Sequence, residues 1–188
     1  MSASTASLSP GTWIADPVHS DISFRVRHMG VGRVRGSFPL VSAELAVADE
    51  GAVASGVHAV MDAASLYTGN EQRDRHVRSA DFLDVENHPR IEFASTQVRD
   101  VDGDIFTVVG DLTIRGVSRT VELAAQCLGS VDDPSGGERA GFTATTTISR
   151  AAFGIDIALG FGAGNVVVAD PIEITIDVEF TSEGAEQS

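Results

Sequence analysis

Apolar and polar residues alternate with a period of two along most of this chain, and the pattern restricts the fold to strands with one dry face. From residue 172 to 180 the even-numbered positions are Ile, Val or Phe, and the odd-numbered positions are Glu, Thr or Asp. Residues 22–27 alternate in the same way. Because successive strand side chains point to opposite faces, this pattern is typical of antiparallel sheets with one buried face.

Further segments of this kind predict more strands. They lie at about 53–61, 91–99, 104–114, 117–128 and 140–149, with a short first strand after Gly11. Gly30/Gly32, Asp102-Gly103 and Arg115-Gly116 predict tight turns, since glycine tolerates positive φ. Many short strands at meander spacing indicate an antiparallel sandwich or barrel.

The third strand changes parity along its length. Val34 and Phe38 share one parity, whereas Val41 and Leu45 share the other. We therefore predict a β-bulge near Pro39, which would bend the sheet toward closure.

Only one stretch predicts an α-helix, from about Glu71 to Ala80. Asn70 is its expected N-cap, and Glu71 stands favourably in the first turn. The segment 151–169 is rich in Gly, Ala, Phe and Val without a clear period. It fits either an apolar lid over an opening or a packed connection.

The length of 188 residues fits one domain, which needs neither disulfide nor metal to bury a core. We expect this domain at 12–181, between disordered polar tails at 1–11 and 182–188. The chain shows neither a secretory signal nor an apolar run long enough to span a bilayer, which predicts a cytoplasmic protein. Cys127 is the only cysteine, in phase with Val121 and Leu123, and is expected to be buried and unreactive.

The formal charge of -14 disfavours nucleic acid as a partner and repels anionic lipid headgroups in general. A partner should therefore be neutral, or an anion held in a local basic pocket. Arg73, Arg75 and Arg78 form a dense basic cluster on the predicted helix. They either seat an anionic headgroup near the helix N-terminus or form ion pairs with Glu71, Asp74 and Asp81.

Candidate catalytic residues are few. None of the five histidines has the spacing of a tight metal-ligand pair, and the motifs of nucleophile elbows, P-loops and dinucleotide sites are missing. Asp16, His19, Asp74 and His76 would serve a metal- or acid/base-dependent enzyme only if the fold brought them together. We therefore predict a non-enzymatic protein without cofactor or metal site.

Ordered polar-aromatic blocks from Trp13 to Phe180 resemble the YceI-like family of lipid-carrying proteins. The blocks are Trp13 with Asp16-Pro17-Val18-His19-Ser20, Phe24-Arg25-Val26-Arg27-His28-Met29-Gly30, Gly36-Ser37-Phe38, Thr68-Gly69-Asn70, Arg73-Asp74-Arg75-His76, Asp81-Phe82, His88-Pro89, Phe93-Ala94-Ser95-Thr96, Gly110-Asp111-Leu112-Thr113-Ile114-Arg115-Gly116, and Arg150 with Phe153-Gly154.

The resemblance implies an all-β fold, an eight-stranded antiparallel lipocalin-like β-barrel with one short α-helix. Such a barrel would enclose an apolar tunnel for a long-chain isoprenoid or other fatty lipid, and the protein would act as a carrier or a sequestering store. The family's members are often dimeric, so a homodimer is possible.

Inward side chains of a barrel either fill its interior or line a ligand cavity, and the pattern alone does not separate the two. Under the family resemblance the tunnel candidates are Phe24, Val26, Phe38, Phe82, Phe93, Phe106, Phe142, Phe153, Phe161 and Ile176. The headgroup candidates are Asn70, Arg73, His76 and Arg78.

Overall fold

The computed structural model describes residues 8–48, 56–157 and 167–182, within which the chain forms ten strands and one α-helix. The strands are β1 (Gly11–Ala15), β2 (Asp21–His28), β3 (Gly32–Ser37), β4 (Leu40–Val47), β5 (Gly56–Asp62), β6 (Arg90–Asp102), β7 (Ile105–Ile114), β8 (Val117–Asp132), β9 (Glu138–Ser149) and β10 (Val168–Ser182). The helix α1 is Glu71–Arg78, and short 3₁₀ turns occur at Pro17–His19, Ala63–Ser65 and Ala151–Phe153.

The strands close into an eight-stranded antiparallel barrel, which confirms the predicted fold class. The ten strands occupy eight positions in the barrel wall. β1 and β2 lie end to end in one position, and β3 and β4 lie end to end in the next. Accordingly, β1 pairs with β4, and β2 pairs with β3. Pairing then runs in chain order from β4 to β10, and β10 closes the ring by pairing with both β1 and β2.

An up-and-down barrel places its connections alternately at two ends. The helix end holds the turn 29–31, the segment 63–89 with α1, the turn 115–116 and residues 150–157 after β9. The terminal end holds residues 8–10, the turn 103–104, the loop 133–137 and the end of β10. Leu8 and Trp13 are almost fully buried at the terminal end.

The parity change in the third wall strand comes from a bulge, as predicted. The register between β4 and β5 shifts between Leu40 and Ser42, directly after Pro39. Parity places Val41 on the inward face with Leu45, and this placement is wrong. Val41 is the extra residue of the bulge and is 55% exposed, whereas Ala43 and Leu45 beyond it are buried. Because a bulge sets two residues against one, the inward face resumes only after it.

The turn and helix predictions agree with the structure in most details. Arg115 and Gly116 have φ of 51° and 70°, the two positive values that a type I′ hairpin turn requires. Asn70 caps α1 by accepting a hydrogen bond from the Arg73 N–H at 2.9 Å. The helix ends at Arg78, two residues before its predicted end, because Ser79 adopts an extended conformation.

Cys127 is buried, as predicted, and burial raises the pKa of its thiol. The described helices include none that is long and apolar enough to cross a bilayer.

Candidate functional site

The barrel interior contains an apolar cavity of about 780 Å³. This volume lies in the range of pockets that hold small ligands, roughly 300–1,000 Å³. The inward side chains of β10 line the cavity from Ile172 to Phe180. At the usual strand rise and tilt, this run spans about 20 Å along the barrel axis. The cavity is therefore deep and narrow.

Aromatic rings line the cavity at two levels along its depth, one toward the terminal end and one nearer the helix end. Toward the terminal end, Phe142 makes edge-to-face contacts with Phe106 and Phe180, at centroid distances of 6.4 and 5.9 Å. Nearer the helix end, Phe24 and Phe38 lie 5.5 Å apart. Edge-to-face pairs fix ring positions while leaving apolar surface on the open side.

The structure brings most of the proposed tunnel residues to one cavity. The lining includes Phe24, Val26, Phe38, Phe82, Phe93, Phe106, Phe142, Phe153 and Ile176. Phe161 lies outside the described residues. Sequence reasoning missed Phe180 and the aliphatic side chains of β7 and β9 such as Leu112 and Ile148, although their period-two pattern was available.

Ionisable side chains border the cavity only at its helix end, and within the described lining none of them is acidic. They are Arg27, His28, Arg73, His76 and Arg150. The chain has 27 Asp and Glu residues in total, so their absence from this lining is marked. The mouth of the cavity is therefore suited to an anionic or hydrogen-bond-accepting group.

The start of α1 is held by a small polar network. Asp74, only 3% exposed, accepts hydrogen bonds from the Thr68 N–H at 3.1 Å and from the Thr68 hydroxyl. Arg73 donates from Nε to Thr68 Oγ1 at 2.7 Å and from Nη2 to the Thr68 carbonyl at 2.8 Å. Because Thr68 occupies one side of the guanidinium, Nη1 of Arg73 has no protein partner among the described residues.

The remaining headgroup candidates differ in position. Asn70 and His76 line the mouth, and His76 Nε2 lies 2.9 Å from an Asp81 carboxylate oxygen. Arg78 does not border the cavity, and its Nη2 donates to the Leu66 carbonyl at 2.5 Å. The sequence left two alternatives for the arginine cluster, an anionic headgroup or ion pairs with helix carboxylates. In the described structure Arg73 and Arg78 form no such ion pairs and donate to Thr68 and Leu66 instead.

The link from β9 to β10 is anchored by Arg150, a lining residue that sequence reasoning did not select. Its guanidinium donates to the carbonyls of Ile155, Val168 and Ala169. Phe153 is almost fully buried. The described part of this link is thus packed against the barrel, while residues 158–166, on which the lid interpretation depends, lie outside the described residues.

The four residues of the enzyme alternative fall into separate places. His76 borders the cavity mouth and Asp74 binds Thr68. Asp16 and His19 lie instead on the outer wall beside the loop 133–137, where their side chains are 2.8 Å apart. The structure therefore does not assemble the four residues into one site.

The outer-wall group is held together by Arg139. Its guanidinium binds the carboxylates of Asp16, Asp133 and Glu179 at 3.0, 2.8 and 2.7 Å. Asp16, His19 and Glu179 also place three potential metal-ligand atoms within 4.8 Å of one another, but the Asp16 and Glu179 carboxylates already bind the Arg139 guanidinium.

Two carboxyl groups of this cluster, those of Asp16 and Asp133, have lowered pKa values. Hydrogen bonds from His19 and then Arg139 keep the pKa of Asp16 well below its usual range. Hydrogen bonds from Ser135 and then Arg139 lower the pKa of Asp133 to about 2. The arrangement ties three segments of the wall together.

Comparison with known proteins finds relatives that match most of the chain. The family model described as the YceI-like domain matches residues 13–180. A UPF0312 protein of Pectobacterium atrosepticum is 37% identical over 155 residues, which cover 82% of this chain and 80% of the relative.

Solved structures agree with this match. A YceI protein of Campylobacter jejuni superposes with a TM-score of 0.71 at 26% identity, over 84% of this chain and 90% of its own. A polyisoprenoid binding domain from Saccharophagus degradans is 15% identical and superposes with a TM-score of 0.64, over 91% of this chain and 98% of its own. The latter likeness shows a shared fold.

Proposed function

The chain belongs to the YceI-like domain family, and from this premise we propose that its barrel binds one long-chain isoprenoid or fatty amphiphile and carries or sequesters it. The observation that carries the proposal is the cavity of about 780 Å³, apolar along its depth and bordered by basic side chains at one end. An amphiphile has the same two-part character. The structural neighbour from Saccharophagus degradans, described as polyisoprenoid binding, supports the chemical class.

The energetics favour a hydrocarbon tail as the occupant. Each methylene moved from water into an apolar cavity contributes about 0.8 kcal/mol. A buried stretch of some ten carbons therefore supplies several kcal/mol after ordering costs of the chain. Binding requires no catalytic group.

We place the headgroup at the helix end, beside Arg73, Asn70 and His76. The support is that Nη1 of Arg73 has no protein partner in the described structure and that these residues border the mouth. Arg27 and His28 also border the cavity. Arg78, which holds Leu66, is the weakest member of the proposed set.

Native mass spectrometry after gentle purification, followed by lipid extraction, tests the tail proposal. We expect one bound chain per protein. A delipidated protein that takes up neither a polyprenyl phosphate nor a fatty acid would overturn it.

Arg73→Ala tests the headgroup placement. A charge-assisted hydrogen bond contributes about 1.5–3 kcal/mol, so the variant should bind a polyprenyl phosphate about tenfold more weakly while binding the uncharged polyprenol unchanged. Arg75→Ala is the matched control, because Arg75 is exposed on the same helix and does not border the cavity. Equal loss for both ligands would mean that Arg73 supports the fold and not the headgroup.

A further inference from the structure

The hairpin formed by β2 and β3 carries a second basic cluster, which the sequence analysis missed. In the strand register Arg25 lies opposite Arg35, and Arg27 lies opposite Arg33. Like charges directly opposite each other destabilise a sheet. Four of the chain's 13 arginines therefore lie in two opposed pairs that repel each other, and a stabilising role elsewhere would be needed to offset this cost.

Nearby carboxylates relieve little of this repulsion. Glu173 on β10 binds Arg25 at 2.7 Å. Asp170, also on β10, does not pair with these arginines and instead accepts a hydrogen bond from the Ala151 N–H at 2.9 Å. Within the described ranges no carboxylate pairs with Arg27, Arg33 or Arg35.

The tip of the same hairpin is apolar and faces solvent. Met29 and Gly30 form the turn with φ of 52° and 73°, and Val31 follows. Val31 is 95% exposed and Met29 39%. An apolar tip on a basic stem matches the two layers of an anionic bilayer surface, where charged headgroups overlie hydrocarbon.

Protection of a sheet edge explains only part of this pattern. β3 is the end strand of the sheet order, and charged side chains on such a strand discourage pairing with other chains. That reason covers Arg33 and Arg35. It does not cover Arg27, which stands on β2 behind the edge, or the exposed valine at the tip.

We propose that the β2–β3 hairpin docks the helix end of the barrel on an anionic lipid bilayer. Val31 and Met29 enter the interfacial layer, and Arg27, Arg33 and Arg35 bind lipid phosphates. The docking itself is independent of what the cavity holds. Its use rests on the proposed function, because Arg27 and His28 of this hairpin also border the cavity mouth, which docking would set against a source of lipid.

The formal charge of -14 does not prevent this contact. Exposed charges are screened beyond about 8 Å at physiological ionic strength, so acidic groups on the far walls act weakly at the bilayer. The general repulsion expected from composition therefore gives way to local attraction at the hairpin.

Vesicle flotation tests the docking surface. The full-length protein should float with vesicles of phosphatidylcholine and phosphatidylglycerol, less at high salt, and not with phosphatidylcholine alone. An arginine near an anionic surface contributes about fivefold to the binding constant, so Arg33→Gln/Arg35→Gln should weaken binding at least tenfold. Val31→Ser should weaken it several-fold by removing the apolar tip.

Matched controls separate docking from general charge and hydrophobicity. Arg35→Gln alone should weaken binding about fivefold, and its charge-matched control is Arg99→Gln, which lies on β6 near the opposite end of the barrel. Val101→Ser removes an exposed valine at the opposite end of the barrel. Both controls should float like the parent protein. Absence of flotation with anionic vesicles, or equal flotation of all variants, overturns the proposal, and a protein partner on the β3 edge would give the first result.

The same samples separate this proposal from the lipid-carrier function. Arg33 and Arg35 do not border the cavity, so Arg33→Gln/Arg35→Gln should retain its bound chain in native mass spectrometry. Failure of flotation with normal lipid content would count against docking alone. Normal flotation of a protein that binds no lipid would count against the carrier function alone.

Discussion

Arg139 shows how one residue joins distant parts of the sequence. Its three carboxylate partners come from the β1–β2 junction, the loop after β8 and the end of β10. Sequence reasoning selected Asp16 and His19 as possible catalytic residues because they form a distinctive motif. It could not show that an arginine more than a hundred residues away binds the Asp16 carboxylate, since closure of the barrel brings the two residues together.

We predict that Arg139→Gln lowers the free energy of unfolding at neutral pH and that the deficit shrinks in acid. Asp133 has a folded pKa of about 2, below its ordinary value, so its ionised form stabilises the fold above pH of about 4. That contribution is lost as pH falls toward 2 in the parent protein, whereas the variant keeps the hydrogen bonds from Ser135 and has already lost the part that Arg139 supplies. Urea unfolding at pH of about 6, 4 and 3 measures the difference.

Arg119→Gln is the charge-matched control for this experiment, because within the described residues the Arg119 guanidinium donates only to the neighbouring Ser118 carbonyl. It should leave the pH dependence unchanged. An Arg139→Gln deficit that stays constant from neutral pH to acid would contradict the ionic explanation.

Gly110 on β7 is a second position where one residue decides local packing. A Cβ at this position would stand 2.5 Å from the Phe93 ring and 2.6 Å from the Ala94 carbonyl oxygen. We predict that Gly110→Ala costs about 1–3 kcal/mol of stability, because the backbone oxygen cannot move aside. Urea unfolding checks this, with Gly32→Ala as control, since its nearest contact is 3.7 Å away. Equal costs would contradict the packing argument.

At the scale of elements, the buried side chain of Asp74 fixes α1 to the barrel mouth, although most residues of this helix are polar. The sequence predicted this helix to within two residues from its cap and composition. It did not indicate that Asp74 would be buried, because the partner is Thr68, in the segment before the helix.

We predict that Asp74→Ala loosens the start of α1 and costs about 3 kcal/mol, since it leaves the Thr68 N–H without its acceptor. Hydrogen exchange should quicken across residues 66–78 and stay unchanged in β7 and β8. Glu71→Ala is the control, because Glu71 is exposed in the same first turn. Uniform quickening over the whole barrel would mean that Asp74 serves global stability and does not anchor the helix locally.

For the strands, the period-two alternation predicts which face each residue occupies but not which residues lie opposite each other. Period-two alternation placed the inward faces of β2 and β10 correctly, because each residue's face follows from its parity. At the bulge, alternation located the parity change but assigned Val41 to the wrong face. The arginines of β2 and β3 were visible as outward residues, yet their mutual opposition depends on the hairpin register.

At the scale of the whole molecule, the sequence predicted a barrel but not whether its interior is filled. The difference depends on how side chains of eight wall positions meet across the barrel, which no single strand records. Two alanines illustrate the point: Ala125 and Ala144 are directly paired on β8 and β9 and both border the cavity. Small residues at such positions leave space that larger ones would occupy.

Filling that space tests whether the cavity depth sets the length of the bound chain. We predict that Ala144→Phe shortens the longest isoprenoid or fatty chain that the protein retains. A ring at this middle position on β9 would separate the mouth from the deeper aromatic level at Phe142 and Phe106. Each methylene kept out of the cavity costs about 0.8 kcal/mol, so long chains lose affinity while short chains keep theirs.

Native mass spectrometry with a graded series of chain lengths measures this cutoff. Thr145→Phe is the matched control, because Thr145 is the next residue on β9 and its side chain is exposed on the outer face. Urea unfolding of both variants separates blocked binding from loss of fold. A cutoff that moves equally in the two variants, or in neither, would mean that the chain does not pass residue 144 and that the tail occupies only the upper part of the cavity.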